Sequence, residues 1–194
     1  MRTLLLKSFA LAAMVGTVRM MGFAALSPSM SAASVASGSP QTFGIPHATF
    51  PLPGVMAAGQ PTGEQIQLLA EEGNYHAVID LRPPEEPRGF DEPEAARQIG
   101  LAYVNIPITP ATLDQAAIDR FLAAMRAAQP PVIVHDGTAD RAGALLYAWL
   151  VLEKRETPAR ALERARAAGL RDPELAGKVR KLVAERNGPE TRRP

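Results

Sequence analysis

One segment of the chain brings a histidine, two aspartates and an arginine together behind an apolar run. This segment, VIVHDGTADRAGALL at residues 132–146, has the pattern of a buried strand, a short loop and a helix. In such a loop several backbone N–H groups point inward beside the positive end of the helix dipole. An arginine side chain at the start of the helix can bind the same anion through its fork of N–H groups. The segment therefore predicts an anion-binding loop, with an ordinary strand-to-helix turn as the alternative. Its residues are His135, Asp136, Gly137, Thr138, Ala139, Asp140 and Arg141.

Other side chains that could take part in chemistry follow neighbouring predicted strands. Asp114, which comes after Ile106 and Pro107, is placed either as a general acid or as a first-turn acid that the next helix dipole favours. Arg82 follows the apolar run HAVIDL and precedes two glutamates. It is therefore expected either on the rim of the pocket or in a salt-bridged strand end.

The chain contains no cysteine, which excludes disulfides, a cysteine-ligated zinc ion and a thiolate nucleophile. A metal ion shared by His135, Asp136 and Asp140 remains an alternative, because imidazole and carboxylate groups are common ligands. The letters HDGTAD are also partly similar to the D-x-D-G-T motif of haloacid-dehalogenase-type phosphatases. The attacking aspartate of that motif would fall on Val134, however, so this interpretation is rejected. We expect no metal and no other cofactor.

The elements that must position these residues alternate between strands and helices. Thr62 with Gln65, and Thr112 with Gln115, have the spacing of capping boxes, and Pro93, Pro158 and Pro173 are placed in first turns. Strand–helix alternation predicts an α/β fold with a mostly parallel central sheet flanked by helices, in which the helix after residue 140 is buried all round. Strands are predicted at 55–58, 76–81, 101–106 and 131–134, and helices at 63–72, 93–99, 112–128, 141–152, 157–169 and 172–185.

The order of four motifs resembles the protein tyrosine/dual-specificity phosphatase superfamily. In particular it resembles the phosphatase-like domain of bacterial beta-lactamase-hydrolase-like proteins, over about residues 50–153. The motifs are GQP at 59–61, VIDLRP at 78–83, GLAYVNIP at 100–107, and His135 with Arg141. The resemblance implies a cysteine-phosphatase fold, a loop that binds phosphate and a ligand that is phosphorylated or otherwise anionic.

Two positions depart from the family pattern. The nucleophilic cysteine of the family falls on Asp136, and a loop glycine falls on Ala139. In the family a low-pKa thiolate attacks phosphorus while the arginine and the loop amides hold the oxygens. Here the carboxylate of Asp136 is expected to accept the loop N–H groups and to pair with Arg141, so that it occupies the anion site itself. A phosphate dianion would then be repelled.

The first forty residues have a different composition from the rest of the chain. They contain Arg2, Lys7 and Arg19 but no acidic residue, and an apolar run follows the basic start, which predicts a signal peptide over residues 1–36. The predicted organisation continues with a linker at 37–53, one domain at 54–187 and a disordered tail at 188–194. We expect a bacterial protein that is exported to the periplasm or secreted, with no stable membrane span after processing. The net charge of +1 belongs to the leader and does not indicate a nucleic-acid partner.

Three functional hypotheses follow from the sequence. The first is a catalytically degenerate, exported phosphatase-like protein that retains the polar pocket around Asp136 and Arg141. The second is an active phosphate-ester hydrolase in which Asp136 or a metal ion does the work. The third is a non-catalytic interaction module whose protein partner binds the C-terminal helices.

Overall fold

The computed structural model describes residues 41–188, which form an α/β fold around a five-stranded sheet. The strand order is β1-β2-β5-β3-β4; β1 runs antiparallel to β2, and the other neighbours are parallel. The predicted fold class is therefore confirmed. The strands are β1 Thr49–Leu52, β2 Val55–Ala58, β3 Ala77–Asp80, β4 Ala102–Asn105 and β5 Val132–His135. The helices are α1 Gly63–Glu71, α2 Glu92–Gln98, α3 Gln115–Ala127, α4 Asp140–Leu152, α5 Pro158–Ala167 and α6 Pro173–Arg186.

Most of these helices begin where the sequence provides a cap. Thr62 and Gln65 form the predicted capping box of α1, and Thr157 and Asp172 cap α5 and α6 ahead of a proline. The second predicted capping box is wrong. The hydroxyl of Thr112 bonds within a turn with Thr109, so α3 begins later, with Asp114 as its N-cap.

The predicted linker at residues 37–53 is also wrong over its last part. Thr49–Leu52 forms strand β1, and Ile45 before it is buried. Gly54 adopts a positive φ of 76°, which allows the chain to turn directly from β1 into β2. The predicted signal peptide and residues 189–194 of the predicted tail lie outside the described residues. No helix within residues 41–188 has the length and apolar character needed to cross a membrane.

Helix α4 lies at the centre of the fold, as its sequence predicts. All its residues from Ala142 to Val151 are buried, and it packs against α5, α6 and α3 and against the sheet. A second, smaller apolar cluster on Ile66, Leu69 and Tyr75 joins α1 to the sheet. Because α4 is held on every side, its N-terminus and the loop before it are held in place at the carboxyl end of β5.

Candidate functional site

The predicted anion loop lies in the middle of the sheet edge where ligands collect in parallel α/β folds. Strand β5 ends at His135 between β2 and β3, and α4 begins at Asp140. A bridge between Gly59 and Thr138 joins the loop to the turn after β2. Ala139, the N-cap of α4, has a φ of 71°. This left-handed backbone is costly for residues other than glycine, and the resemblance places a glycine at this position.

Asp136 lies at the centre of the loop and is completely buried. Its Oδ1 accepts a hydrogen bond of 2.8 Å from the backbone N–H of Thr138, and its Oδ2 accepts one of 2.8 Å from the N–H of Ala142. The Nε of Arg141 lies 3.6 Å from Oδ1. Two backbone donors, the start of α4 and a guanidinium thus surround this one carboxylate, as an anion-binding loop would surround a ligand.

The hydrogen bonds of Arg141 go elsewhere. Its Nη1 and Nη2 donate to the two carboxylate oxygens of Glu86, at 2.6 and 2.8 Å. Burial would lower the pKa of Arg141, but the bond to Glu86 and the charge of Asp136 raise it. Sequence reasoning noted Glu86 only beside Arg82, because a contact across 55 residues leaves no local pattern.

Arg82, expected on the pocket rim or at a salt-bridged strand end, is fully buried, so the prediction of a pocket-rim residue is wrong. Its Nε donates to Oδ1 of Asp80 at 2.9 Å, and its Nη2 donates to Asp80 and to Glu92. Burial would raise the pKa of Asp80, but the hydrogen bonds from Arg82 and the nearby charge of His135 lower it below its usual value. This buried ionic cluster, Asp80, Arg82, Glu92 and His135, lies behind the anion loop.

His135 belongs to the buried ionic cluster, although it immediately precedes the loop. Its Nε2 lies 2.7 Å from Oε1 of Glu92. The structure therefore does not bring His135, Asp136 and Asp140 onto one ion. Asp80, Glu92 and His135 do offer ligand atoms within 4.8 Å of one another. However, the guanidinium of Arg82 already pairs with both carboxylates, and a cation there would meet a fixed positive charge.

Asp140 and Asp114 both bind backbone amides. Oδ1 of Asp140 accepts from the N–H groups of Arg171 and Asp172, at 2.5 and 2.8 Å, which joins the start of α4 to the α5–α6 connection. Asp114 accepts from the N–H of Ala117 at 2.7 Å as the N-cap of α3. The position therefore agrees with the alternative of a helix-terminal acid, and its role as a general acid remains a prediction.

The fold is similar to those of several solved phosphatase-like structures. A protein from Shewanella putrefaciens CN-32 that is assigned as a phosphatase (DUF442) superimposes with a TM-score of 0.62 and 24% identity, covering 75% of this chain and 95% of that one. Tk-PTP in its active form superimposes with a TM-score of 0.61 and 20% identity, covering 73% of this chain and 98% of that one. TpbA of P. aeruginosa gives 0.57 and 17%, covering 72% and 84%. The fold is that of the protein tyrosine phosphatase-like proteins.

The sequence itself is similar to a more particular group. The beta-lactamase hydrolase-like protein of Xylella fastidiosa strain Temecula1 is 35% identical over 95 residues, which are 47% of this chain. The match spans only 22% of the length of that relative, and the counterpart from strain 9a5c matches equally. No protein-family model matches the chain. The chain is thus phosphatase-like in fold, with a beta-lactamase hydrolase-like homologue.

Proposed function

We propose that this protein is a catalytically degenerate phosphatase-like protein whose anion loop is filled by its own aspartate. The observation that carries the proposal is the pair of 2.8 Å hydrogen bonds by which Asp136 occupies the amides of Thr138 and Ala142. By the resemblance, Asp136 stands where the nucleophilic cysteine stands in active members. Since the chain contains no cysteine, the phosphocysteine route is closed to it.

The environment of Asp136 also disfavours its use as a nucleophile. A carboxylate attacks phosphorus with an oxygen lone pair, and both of its oxygens here accept short hydrogen bonds in a buried site. A phosphate dianion approaching Arg141 would meet the charge of Asp136 near its Nε and that of Glu86 on its two terminal nitrogens. In a partly buried site, two like charges ~5 Å apart repel each other by about 3 kcal/mol, which opposes the binding of phosphate.

The proposal is tested by measuring hydrolysis of p-nitrophenyl phosphate by the purified chain, with and without Mg²⁺, Mn²⁺ and Zn²⁺. We expect no saturable turnover above that of Arg141→Ala, which serves as the control for contaminating phosphatases. Turnover that disappears in Asp136→Ala would overturn the proposal and favour the active-hydrolase hypothesis.

A second experiment asks whether the rest of the site is intact. Asp136→Cys with Ala139→Gly restores the sulfur and the loop glycine that the resemblance implies, and Glu86→Gln in the same chain releases Arg141. Aryl-phosphate turnover by this triple variant, lost again in Asp136→Ser with the same two changes, would indicate that the site is intact apart from these three positions. If the folded triple variant neither binds phosphate nor hydrolyses an aryl phosphate, the polar pocket around Asp136 and Arg141 is vestigial.

Export is part of the proposal. The apolar run behind Arg2 and Lys7 and the absence of acids before Glu64 support a cleaved leader. Expression of the full chain with a C-terminal tag in a Gram-negative host, followed by N-terminal sequencing of the periplasmic fraction, is expected to give a mature start near residue 37. Full-length protein confined to the cytoplasm would contradict it.

A further inference from the structure

The Glu86–Arg141 ion pair joins the loop between β3 and α2 to the first turn of α4, and it is partly open to solvent. The side chain of Glu86 is 37% exposed and that of Arg141 is 14% exposed, whereas Asp136 is fully buried. Glu86 therefore lies on the outer side of the guanidinium and Asp136 on its inner side. Of the two acids, only Glu86 can leave Arg141 by rotation of its own side chain into water.

The backbone that carries Glu86 is held by its neighbours. The guanidinium of Arg88 bonds to Asp80, to the carbonyl of Pro84 and to the carbonyl of Arg82. The amide of Asn105 donates to that same carbonyl of Arg82, at 3.0 Å. Because the loop is anchored on both sides of Glu86, release of Arg141 requires a change of rotamer and no movement of the loop.

We propose that Glu86 is a replaceable internal ligand of Arg141, and that the external ligand of this fork is a group with one negative charge shared over coplanar oxygens, such as a carboxylate. The bidentate contact of Glu86, at 2.6 and 2.8 Å, shows the geometry that such a group would adopt. This inference rests on the proposed function, because Asp136 is taken as a permanent occupant. Asp136 already offsets the positive charge of Arg141, so every further negative charge at the site adds repulsion. A ligand with one negative charge is therefore preferred over a ligand with two.

The test is a titration of the Glu86→Gln variant with acetate and with sulfate, at constant ionic strength in chloride. The backbone amides of Thr138 and Ala142 and the side-chain Nε–H of Arg141 are followed by NMR. Glu85→Gln is the matched control, because it removes the same charge from the adjacent exposed position. We expect Glu86→Gln to bind acetate at least about tenfold more tightly than the unaltered chain, and acetate more tightly than sulfate. Glu85→Gln should behave like the unaltered chain.

Equal acetate binding in Glu86→Gln and Glu85→Gln would overturn the inference, and so would tighter binding of sulfate than of acetate. A thermal melt of each variant shows that it is folded, and Glu86→Ala repeats the measurement with the side chain shortened. The titration measures binding without turnover. Its failure therefore leaves the proposed loss of catalysis standing, whereas hydrolysis by the unaltered chain would refute the proposed function whatever the titration gives.

Discussion

The fold contains two arginine–carboxylate clusters at the same edge of the sheet, and they differ in their exposure. Arg82 is fully buried between Asp80 and Glu92, and none of the three side chains reaches solvent. Arg141 contacts one buried acid, Asp136, and one that is half-exposed, Glu86. Similar groups therefore serve two purposes. The inner cluster fixes the ends of β3 and β5, and the outer pair leaves one acid that a ligand can replace.

The difference follows from the cost of separating charges in each environment. Removing one member of a buried ion pair leaves the other without compensation in a medium where water cannot reach it, which costs several kcal/mol. Breaking a pair at the surface costs little, since water solvates both partners. The free energy of unfolding is thus expected to depend strongly on Arg82 and weakly on Glu86.

The largest expected effect is that of Arg82→Met, which keeps the apolar stem and removes the charge. It takes the arginine away from the buried Asp80 and Glu92, which keep Arg88 and His135 as their respective neighbours, and we expect a loss of about 3 kcal/mol in the free energy of unfolding, measured by urea denaturation. Arg97→Met removes an exposed arginine that pairs with Glu94 at the surface, and it should leave the urea midpoint nearly unchanged. If both variants had the same midpoint, the inner cluster would not have the structural role assigned to it.

A smaller loss is expected when the support of the anion loop is disturbed. Gly169, with a φ of 120°, lies so close to Ala139 that a Cβ on it would come within 2.6 Å of the Ala139 Cβ. Gly169→Ala should therefore cost at least about 2 kcal/mol and shift the NMR signal of the Thr138 amide. Gly177→Ala is the control, because its position in α6 has open space around it and should gain about 0.5–1 kcal/mol. Unchanged loop signals in Gly169→Ala would mean that the loop does not depend on this contact.

Acid should weaken the inner cluster. The pKa of Asp80 is lowered in the folded chain, so the unfolded chain binds the proton first as the pH falls. The stabilisation is fully present above the ordinary aspartate pKa of about 4 and is lost as the pH falls toward the lower folded value. Urea denaturation between pH 6 and pH 3 should show this loss. The free energy of unfolding should fall less steeply with decreasing pH in Asp80→Asn. An equal pH dependence of the free energy of unfolding in the two proteins would contradict the lowered pKa of Asp80.

The smallest expected effect on stability is that of Glu86→Gln. Its carboxylate is more than a third exposed, so solvent screens the pair with Arg141, and the loss should stay below about 1 kcal/mol. Circular dichroism melts of this variant beside Arg82→Met measure the contrast between the two clusters directly. A loss as large as that of Arg82→Met would show that Glu86 is a structural residue and not a replaceable one.

Local sequence patterns predicted most of the elements, because caps, prolines and apolar periodicity act within a few residues. The strand–loop–helix around Asp136 was predictable for the same reason. Strand β1 was missed, since its composition resembles a linker and only its pairing with β2 reveals it. Glu92 and Glu86 reach His135 and Arg141 across 43 and 55 residues, respectively, and such contacts depend on how the loops pack. The burial of Arg82 depends on the same tertiary contacts.

The hydrogen bonds from Arg171 and Asp172 to Asp140 have a consequence for experiments on fragments. All four sequence motifs lie before residue 142, yet the start of α4 is bound to a connection thirty residues further along the chain. A shortened protein that ends after α4 would contain all four motifs but would lack the two backbone amides that bind Asp140 beside the anion loop. Deletion studies should therefore cut on the far side of α6.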